Sequence, residues 1–320
     1  MTAIPLLSIV LPAYCEAEHL EHTLWAVHGH ADGLGVPFEI VVVDDGSPDD
    51  TWAVLERAAA EMPVLRCLSF SRNFGKESAI LAGLATTRGD AVVLLDADLQ
   101  HPPELIVDMF TLWREGRYKI INGVKEDRGD ETIGASLAAK TFYGLFQRFS
   151  SIKLRGSSDF KLLDREVVDI YCRLPERGTF FRGITPWLGY EQIDLPFRVA
   201  ERVAGGSKWS LVKRGLLAAN AIVSFSTLPL HLVTLAGLLF LSFAVMLGAQ
   251  TVYVKLTGGA VEGFTTVILL TILVGSILML SLGVIGQYLA KIYEETKGRP
   301  RYLIKRQIRA QRPPFDASLG

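Results

Sequence analysis

The sequence of 320 residues is poor in cysteine and has no excess of charge of either sign. Its three cysteines, Cys15, Cys67 and Cys172, are widely spaced and form no Cys-x-x-Cys pair. This spacing indicates neither a disulfide framework nor a zinc site. The 33 Lys and Arg residues are balanced by 34 Asp and Glu residues, so the composition excludes a strongly basic nucleic-acid-binding protein. With 49% hydrophobic residues, the chain is also not intrinsically disordered.

The two common glycine-rich phosphate-binding motifs are absent as well. No Gly-x-Gly-x-x-Gly follows the first predicted strand, which argues against a dinucleotide cofactor. No Gly-x-x-x-x-Gly-Lys-Ser/Thr is found either, which excludes the phosphate-binding loop of nucleotide hydrolases. Any phosphate group must therefore be bound by a metal ion and by side chains.

Charged residues are missing from two long stretches near the C-terminus. Residues 215–254 and residues 263–290 contain no Asp, Glu, Lys or Arg. A helix needs about 20 apolar residues to cross the hydrocarbon core of a membrane, so each stretch has room for one span. We place the spans at 228–254 and 264–290. Buried core helices are the alternative, but these segments are apolar on every face.

Basic residues next to these stretches predict the orientation. Eight Lys and Arg residues lie between 291 and 312, whereas the loop between the spans has only Lys255. By the positive-inside tendency, both ends of the hairpin and the large N-terminal part are cytoplasmic. The predicted organisation is a cytosolic domain (1–207), an amphipathic interfacial helix (208–227), two transmembrane helices (228–290) and a basic cytoplasmic tail (291–320).

The N-terminal 120 residues alternate between short apolar runs and helical patterns. The short apolar runs predict buried parallel strands, and the segments between them have helical periodicity. The order predicts a doubly wound, mostly parallel sheet with helices on both faces, and ligands of such sheets bind beyond the carboxyl ends of the strands. The predicted strands are 7–11, 38–43, 64–70 and 91–95, and the predicted helices are 18–30, 49–61 and 76–87.

Polar clusters follow all four predicted strands, as expected for a site at that edge. After the fourth strand, Asp96 and Asp98 are two residues apart, so in an extended segment their carboxylates point the same way. Together with the amide oxygen of Gln100 they form a set of hard oxygen ligands suited to Mg²⁺ or Mn²⁺. After the second strand, Asp44 or Asp45 is suited to hydrogen-bond the base or ribose of a nucleotide.

Several longer motifs extend this pattern over most of the chain. They are residues 71–77 (Ser-Arg-Asn-Phe-Gly-Lys-Glu), 96–100 (Asp-Ala-Asp-Leu-Gln), 158–163 (Ser-Asp-Phe-Lys-Leu-Leu), Arg202 with 205–209 (Gly-Gly-Ser-Lys-Trp), and 296–302 (Thr-Lys-Gly-Arg-Pro-Arg-Tyr). With these motifs the chain resembles family 2 glycosyltransferases of the A-type fold. It is most similar to the polyprenyl-phosphate glycosyltransferases, which include dolichol-phosphate mannose synthase and the bacterial bactoprenol glucosyltransferases.

The resemblance implies an inverting, metal-dependent transfer of a hexose from a nucleotide-diphosphate sugar to a polyprenyl phosphate at the plasma membrane. UDP-glucose and undecaprenyl phosphate are the expected substrates, and a homo-oligomer is the expected assembly. The implied nucleotide-sugar ligands are Pro12, Tyr14, Glu16, Val43, Asp44, Asp45, Lys76, Asp96, Ala97 and Lys125. The implied metal ligands are Asp96, Asp98 and Gln100, and the implied catalytic residues are Asp98, Asp159, Arg202 and Lys208.

Two positions depart from the pattern of the family. Cys15 replaces the usual Asn, and we expect it to adjust only the packing near the base. His101 replaces a frequent acidic residue, and we expect it to be a surface or helix-capping residue before Pro102. Two other functions stay open at this point: a processive polysaccharide synthase of the same family, and a non-enzymatic, nucleotide-binding membrane subunit.

Overall fold

The structure, a computed structural model, divides the chain into two compact units. The first unit contains Met1–Gln147, Ile152–Gly206 and Arg299–Gly320, and the second contains Arg148–Ser151 and Ser207–Gly298. The predicted interfacial helix at 208–227 lies outside the described residues. The structure describes residues 4–98, 101–125, 157–176, 180–197, 228–257 and 263–310.

An eight-stranded mixed sheet forms the centre of the first unit, in the order β7-β5-β6-β4-β1-β2-β3-β8. Strands β3, β2, β1 and β4 are mutually parallel, whereas β6 is antiparallel to β4 and β8 is antiparallel to β3. The strands are β1 (Leu7–Ala13), β2 (Phe38–Asp44), β3 (Leu65–Phe70), β4 (Ala91–Leu94), β5 (Ile120–Lys125), β6 (Ser157–Asp164), β7 (Gln192–Phe197) and β8 (Ile304–Ile308).

Helices cover both faces of this sheet, as the sequence predicts. Leu7, Ile9 and Leu11 of β1 join a hydrophobic core with residues of α1, α2 and α4. On the opposite face, a Cβ atom on Gly83 of α3 would lie 2.3 Å from Cγ1 of Val10, so this helix needs glycine to approach β1 closely. The helices of the first unit are α1 (Leu20–Asp32), α2 (Thr51–Glu61), α3 (Lys76–Thr86), α4 (Leu105–Arg114), α5 (Arg165–Arg173) and α6 (Phe181–Trp187).

The prediction of a mostly parallel α/β sheet is confirmed, and the four strands predicted from apolar runs are all present. Every residue of β1, β2 and β4 is buried, because central parallel strands are covered by helices on both faces. The sequence analysis did not predict β8, which lies within the segment assigned to a basic tail. Its pairing with β3 returns the chain to the sheet after the two apolar helices.

Two long helices form the described part of the second unit. They are α7 (Leu228–Leu256) and α8 (Phe264–Thr296), and they contain the two segments predicted to be spans. The most apolar parts, Val233–Val254 and Leu273–Thr296, have mean hydropathies of 1.9 and 1.8, and neither is buried within the described chain. Both helices are therefore candidate membrane spans by length and composition, and neither is a core helix of the described structure.

Candidate active site

A cavity of about 310 Å³ lies at the carboxyl ends of β1, β2 and β4. This is the edge at which the sequence places the site, because the parallel strands all end there. The cavity is lined by many of the residues that the resemblance implies: Pro12, Tyr14, Glu16, Asp45, Lys76, Asp96, Ala97 and Asp98. Ala13, Asn73, Gly75 and Ala79 complete the lining.

Asp44 and Val43 are buried at the end of β2 and do not line this cavity. One carboxylate oxygen of Asp44 accepts a hydrogen bond from the Ser47 amide at 2.9 Å. The other accepts from the Ser69 hydroxyl at 2.7 Å. In this structure the Asp44 carboxylate therefore fixes the turn after β2 to the end of β3.

Asp45 joins the cavity to the loop that precedes α3. Its two carboxylate oxygens accept hydrogen bonds from the Phe74 amide at 2.7 Å and from the Gly75 amide at 2.9 Å. Burial raises the pKa of Asp45, although these two bonds oppose the shift. Gly75 has a φ of 94°, a conformation that residues with a side chain rarely adopt. The loop that Asp45 holds through these two hydrogen bonds thus sets the position of Lys76 at the start of α3.

The Lys76 ammonium group connects two acidic residues of the site. Its Nζ atom lies 2.6 Å from Oδ1 of Asp96 and 2.6 Å from Oδ2 of Asp159. Burial disfavours the charged form of Lys76, but the two carboxylates outweigh it and raise its pKa. The structure therefore brings together Lys76, Asp96 and Asp159, which come from three separate sequence motifs.

Arg182, on the first turn of α6, bonds both carboxylate oxygens of Asp159, including the Oδ2 atom that Lys76 contacts. It donates from Nε to Oδ1 at 2.6 Å and from Nη2 to Oδ2 at 2.8 Å. Asp159 is only 4% exposed, and burial alone would raise its pKa; Arg182 and Lys76 instead hold the pKa well below its usual range. The sequence analysis missed Arg182, because nothing local indicates a partner 23 residues away.

Glu77, next to Lys76, connects α3 to α6. One of its carboxylate oxygens accepts a hydrogen bond from the Phe181 amide at 2.9 Å. Burial raises the pKa of Glu77 to about 7, and the negative charge of Asp159 adds to the shift. Glu77 thus fixes the N-terminal end of the short helix that carries Arg182. The motif at 71–77 included Glu77, but its role was not predicted.

The predicted metal ligands Asp96 and Asp98 lie together at the cavity, and Gln100 lies outside the described residues. Glu16 lies near both carboxylates: burial raises its pKa, and the charges of Asp98 and Asp96 raise it further. No three His, Cys, Asp or Glu side chains converge into a complete metal site within the described residues. A cation at Asp96 and Asp98 would need further oxygen ligands, which suits a donor that brings phosphate oxygens.

His101 is buried, not a surface residue as the sequence analysis expected. It is 3% exposed, its ring stacks on Phe160 with centroids 5.0 Å apart, and its Nδ1 accepts a hydrogen bond from the Asp96 amide at 3.2 Å. Burial lowers the pKa of His101, which favours the neutral ring that this bond requires. His101 therefore supports the segment that carries Asp96.

Cys15 is exposed beside the cavity and has a φ of 58°. Asn adopts this left-handed conformation much more readily than most residues, which gives a backbone reason for the Asn that is usual in the family. The Cys15 amide donates to the Ser47 hydroxyl at 2.9 Å. That Cys15 adjusts only the packing near the base stays a prediction.

The remaining implied residues are Lys125, Arg202 and Lys208. Lys125 is at the exposed end of β5 and close enough to affect the pKa of His101, but it does not line the cavity. Arg202 and Lys208 lie outside the described residues.

The family model for "Glycosyl transferase family 2" matches residues 8–169. The chain belongs to glycosyl transferase family 2. This match spans β1 to β6 and includes Asp96, Asp98 and Asp159. The protein is therefore a glycosyltransferase, with the mixed α/β sheet of the A-type fold. The prediction of an enzyme is confirmed over the alternative of a non-enzymatic nucleotide-binding subunit.

Curated relatives cover almost the whole chain, including its two apolar helices. A bactoprenol glucosyl transferase of Shigella phage SfX is 37% identical over 304 residues, which is 93% of this chain and 98% of that protein. A prophage bactoprenol glucosyl transferase homologue of Escherichia coli K12 is 36% identical over 94% of this chain and 98% of its own length. An uncharacterised glycosyltransferase of a Synechocystis strain is 39% identical over 93% of this chain and 94% of its own.

Solved structures match at lower similarity. Mannosyl-3-phosphoglycerate synthase from Rubrobacter xylanophilus is 20% identical, with a TM-score of 0.49 over 68% of this chain and 72% of its own. Glucosyl-3-phosphoglycerate synthase from Mycobacterium tuberculosis, in complex with Mn²⁺, UDP-glucose and phosphoglyceric acid, is 21% identical, with a TM-score of 0.47 over 68% of this chain and 78% of its own.

Proposed function

We propose that this family 2 enzyme transfers glucose from UDP-glucose to a polyprenyl phosphate, with undecaprenyl phosphate as the acceptor in the cell. The observation that carries the proposal is the cavity that joins Asp96 and Asp98 to the cationic side chain of Lys76. Carboxylates for a cation, with an ammonium group beside them, suit a substrate that carries a diphosphate. The near full-length bactoprenol glucosyl transferase relatives support the choice of sugar and acceptor.

The donor diphosphate fits the Asp96 end of the cavity. Asp96 and Asp98 would hold Mg²⁺ or Mn²⁺, and Gln100 is proposed as a further ligand; such an ion stabilises negative charge on a departing diphosphate. Pro12, Tyr14 and Glu16 line the same cavity and are proposed to contact the nucleotide. Asp45 keeps the loop before Lys76 in place. We propose that the ammonium group of Lys76 would then lie beside the donor phosphates.

The reaction is then a single displacement. An oxygen of the acceptor phosphate forms a bond to the anomeric carbon of glucose, while the bond from that carbon to UDP breaks and UDP leaves with the electron pair. A phosphate with a second pKa near 6 is largely dianionic at neutral pH, so the nucleophile needs little help from a general base. We propose that Arg202 and Lys208 engage donor or acceptor phosphate, and that the enzyme acts mainly by placement and electrostatics.

The position of β8 supports a membrane hairpin with both ends on the same side. The segment after α8 pairs with β3 in the sheet of the first unit, so the chain must return to the side from which it left. An even number of crossings satisfies this requirement, and α7 and α8 supply two candidate spans. We propose that both termini are cytoplasmic, as the basic residues after the second span also indicate.

A donor screen tests the proposed chemistry. Purified protein with Mn²⁺ and a short-chain polyprenyl phosphate should release UDP from UDP-glucose much faster than it releases nucleotide from UDP-galactose or GDP-mannose. Asp98→Asn should lower this acceptor-dependent release by at least tenfold and should weaken Mn²⁺ binding measured by electron paramagnetic resonance. Full activity of Asp98→Asn in chelator-treated protein would refute the metal site.

Topology and assembly need separate measurements. In sealed inverted vesicles, protease should cleave the basic tail from the cytoplasmic side, and cleavage from the opposite side alone would contradict the hairpin. The homo-oligomer that the resemblance implies is tested by the mass of the detergent-solubilised protein, and a purely monomeric mass would contradict it.

A further inference from the structure

The guanidinium group of Arg182 bonds Asp159, while the Arg182 side chain is partly exposed to solvent. Two of the five N–H donors of its guanidinium group bond Asp159, at 2.6 and 2.8 Å. The side chain of Asp159 is 5% exposed, whereas the side chain of Arg182 is 40% exposed. The buried carboxylate thus fixes the plane of the guanidinium group in a side chain that is partly exposed, and this planar group suits phosphate as well as carboxylate.

Arg182 also stands at one end of a row of alternating charges. From Asp96 the row continues through Lys76 and Asp159 to Arg182, with each neighbouring pair within 2.6 Å. Asp96 lies at the end of the cavity where the diphosphate is proposed to leave. In a displacement the nucleophile approaches from the side opposite the leaving group, so a cation separated from Asp96 by a row of three ion pairs suits the incoming phosphate.

A purely structural role is the alternative for Arg182. Arg165 is an arginine with such a role and serves for comparison. Arg165 lies at the start of α5, just as Arg182 lies at the start of α6. The Arg165 side chain donates to the Gly89 carbonyl at 2.7 Å and to the Thr87 hydroxyl at 3.1 Å. These partners precede β4, at the sheet edge away from the cavity. The side chain of Arg165 is 26% exposed and that of Arg182 is 40% exposed, so Arg182 is the more open of the two.

We propose that Arg182 binds the acceptor phosphate, with Asp159 as the positioning residue that orients its guanidinium group. This inference rests on the proposed function, because it assumes a phosphate acceptor. Asp159 then has a definite role, since its carboxylate binds both Arg182 and Lys76, between the incoming and the departing phosphate groups.

The test separates acceptor binding from donor binding in Arg182→Gln, Arg182→Lys and the control Arg165→Gln. Steady-state kinetics with a detergent-soluble short-chain polyprenyl phosphate give the KM for the acceptor, and calorimetry gives the Kd for UDP with Mn²⁺. Arg182→Gln should raise the acceptor KM at least tenfold and leave the UDP Kd within twofold. The acceptor KM of Arg182→Lys should lie between those of the wild type and Arg182→Gln, because lysine keeps the positive charge but loses the paired N–H donors of the guanidinium group. Arg165→Gln should change neither constant.

Other outcomes overturn the inference. If Arg182→Gln lowers kcat or weakens UDP binding with an unchanged acceptor KM, Arg182 only supports the fold of the donor site. If Arg182→Gln fails to fold, Arg182→Lys decides, and a wild-type acceptor KM in that variant refutes the role. Failure of the proposed function is distinct, because the wild-type protein would then transfer glucose to no polyprenyl phosphate.

Discussion

Replacement of Glu77 by Gln should stabilise the protein at alkaline pH and change its stability little at acidic pH. Gln keeps an oxygen that can accept the hydrogen bond from the Phe181 amide. It removes only the carboxylate charge, which is disfavoured by burial and by the nearby Asp159 in spite of Lys76 and Arg182. The variant therefore isolates the cost of one buried charge at the junction of α3 and α6.

The size of the effect follows from the shift in pKa. The pKa of Glu77 rises from 4.5 to about 7 in the folded protein. Because the folded state holds the proton more tightly, stability is highest below pH 4.5 and falls as the pH rises to 7. At about 1.36 kcal/mol per pKa unit, the full loss is about 3 kcal/mol above pH 8. Because Glu77→Gln removes this loss of stability, the variant should have a Tm roughly 6–12 °C higher than the wild type at alkaline pH, for a domain of this size.

Thermal unfolding in detergent at pH 5 and at pH 8.5 measures this difference. The matched control is Glu21→Gln, because Glu21 is also in the first turn of a helix but is exposed. We expect the Tm difference between Glu77→Gln and wild type to be much larger at pH 8.5 than at pH 5, with no such difference in the control. An equal rise at both pH values, or a fall at pH 8.5, would refute the reasoning.

Three further substitutions test the supports of the site by their effect on Tm. Cys15→Asn should raise stability by about 1 kcal/mol, because Asn tolerates the φ of 58°; a lower Tm would contradict this. Gly46→Ala should lower the stability by at least about 2 kcal/mol, because Gly46 has a φ of 68° and a Cβ atom there would lie 2.4 Å from the Arg72 carbonyl carbon. A Tm equal to that of the wild type would contradict this backbone geometry. Tyr302→Ala should cost at least about 1 kcal/mol, because its ring stacks on Phe70 at 5.0 Å; an unchanged Tm would show that the segment before β8 does not support β3.

The central strands could be predicted from the sequence because burial on both faces leaves a local signal. Strands β1 and β2 are mostly apolar, with Ser8 and Glu39 as polar exceptions within them, whereas β6 carries two charged residues, Asp159 and Lys161, in its interior. Both side chains are buried, and their partners come from distant segments, such as Asn122 for Lys161. Strand β8 contains three polar residues and is exposed along most of its length, so only its pairing with β3 identifies it.

The same difference separates the predicted and missed residues of the site. Asp96 and Asp98 could be found because they directly follow a strand, and the carboxyl ends of parallel strands meet at one edge. Arg182 and the role of Glu77 could not, because they depend on contacts that α6 makes with β6 and with α3. The sequence predicts His101 at the surface because it precedes Pro102, but aromatic neighbours from β6 and β7 bury it.

The most direct test of the central claim is the fate of the sugar. Purified protein should be incubated with Mn²⁺, UDP-glucose labelled in the glucose, and undecaprenyl phosphate, and the label should be followed into an organic extract. We predict one labelled glucosyl lipid phosphate with an inverted anomeric centre, formed in equal amount to UDP. Release of free glucose without a labelled lipid, or the absence of any product from wild-type protein, would contradict the account.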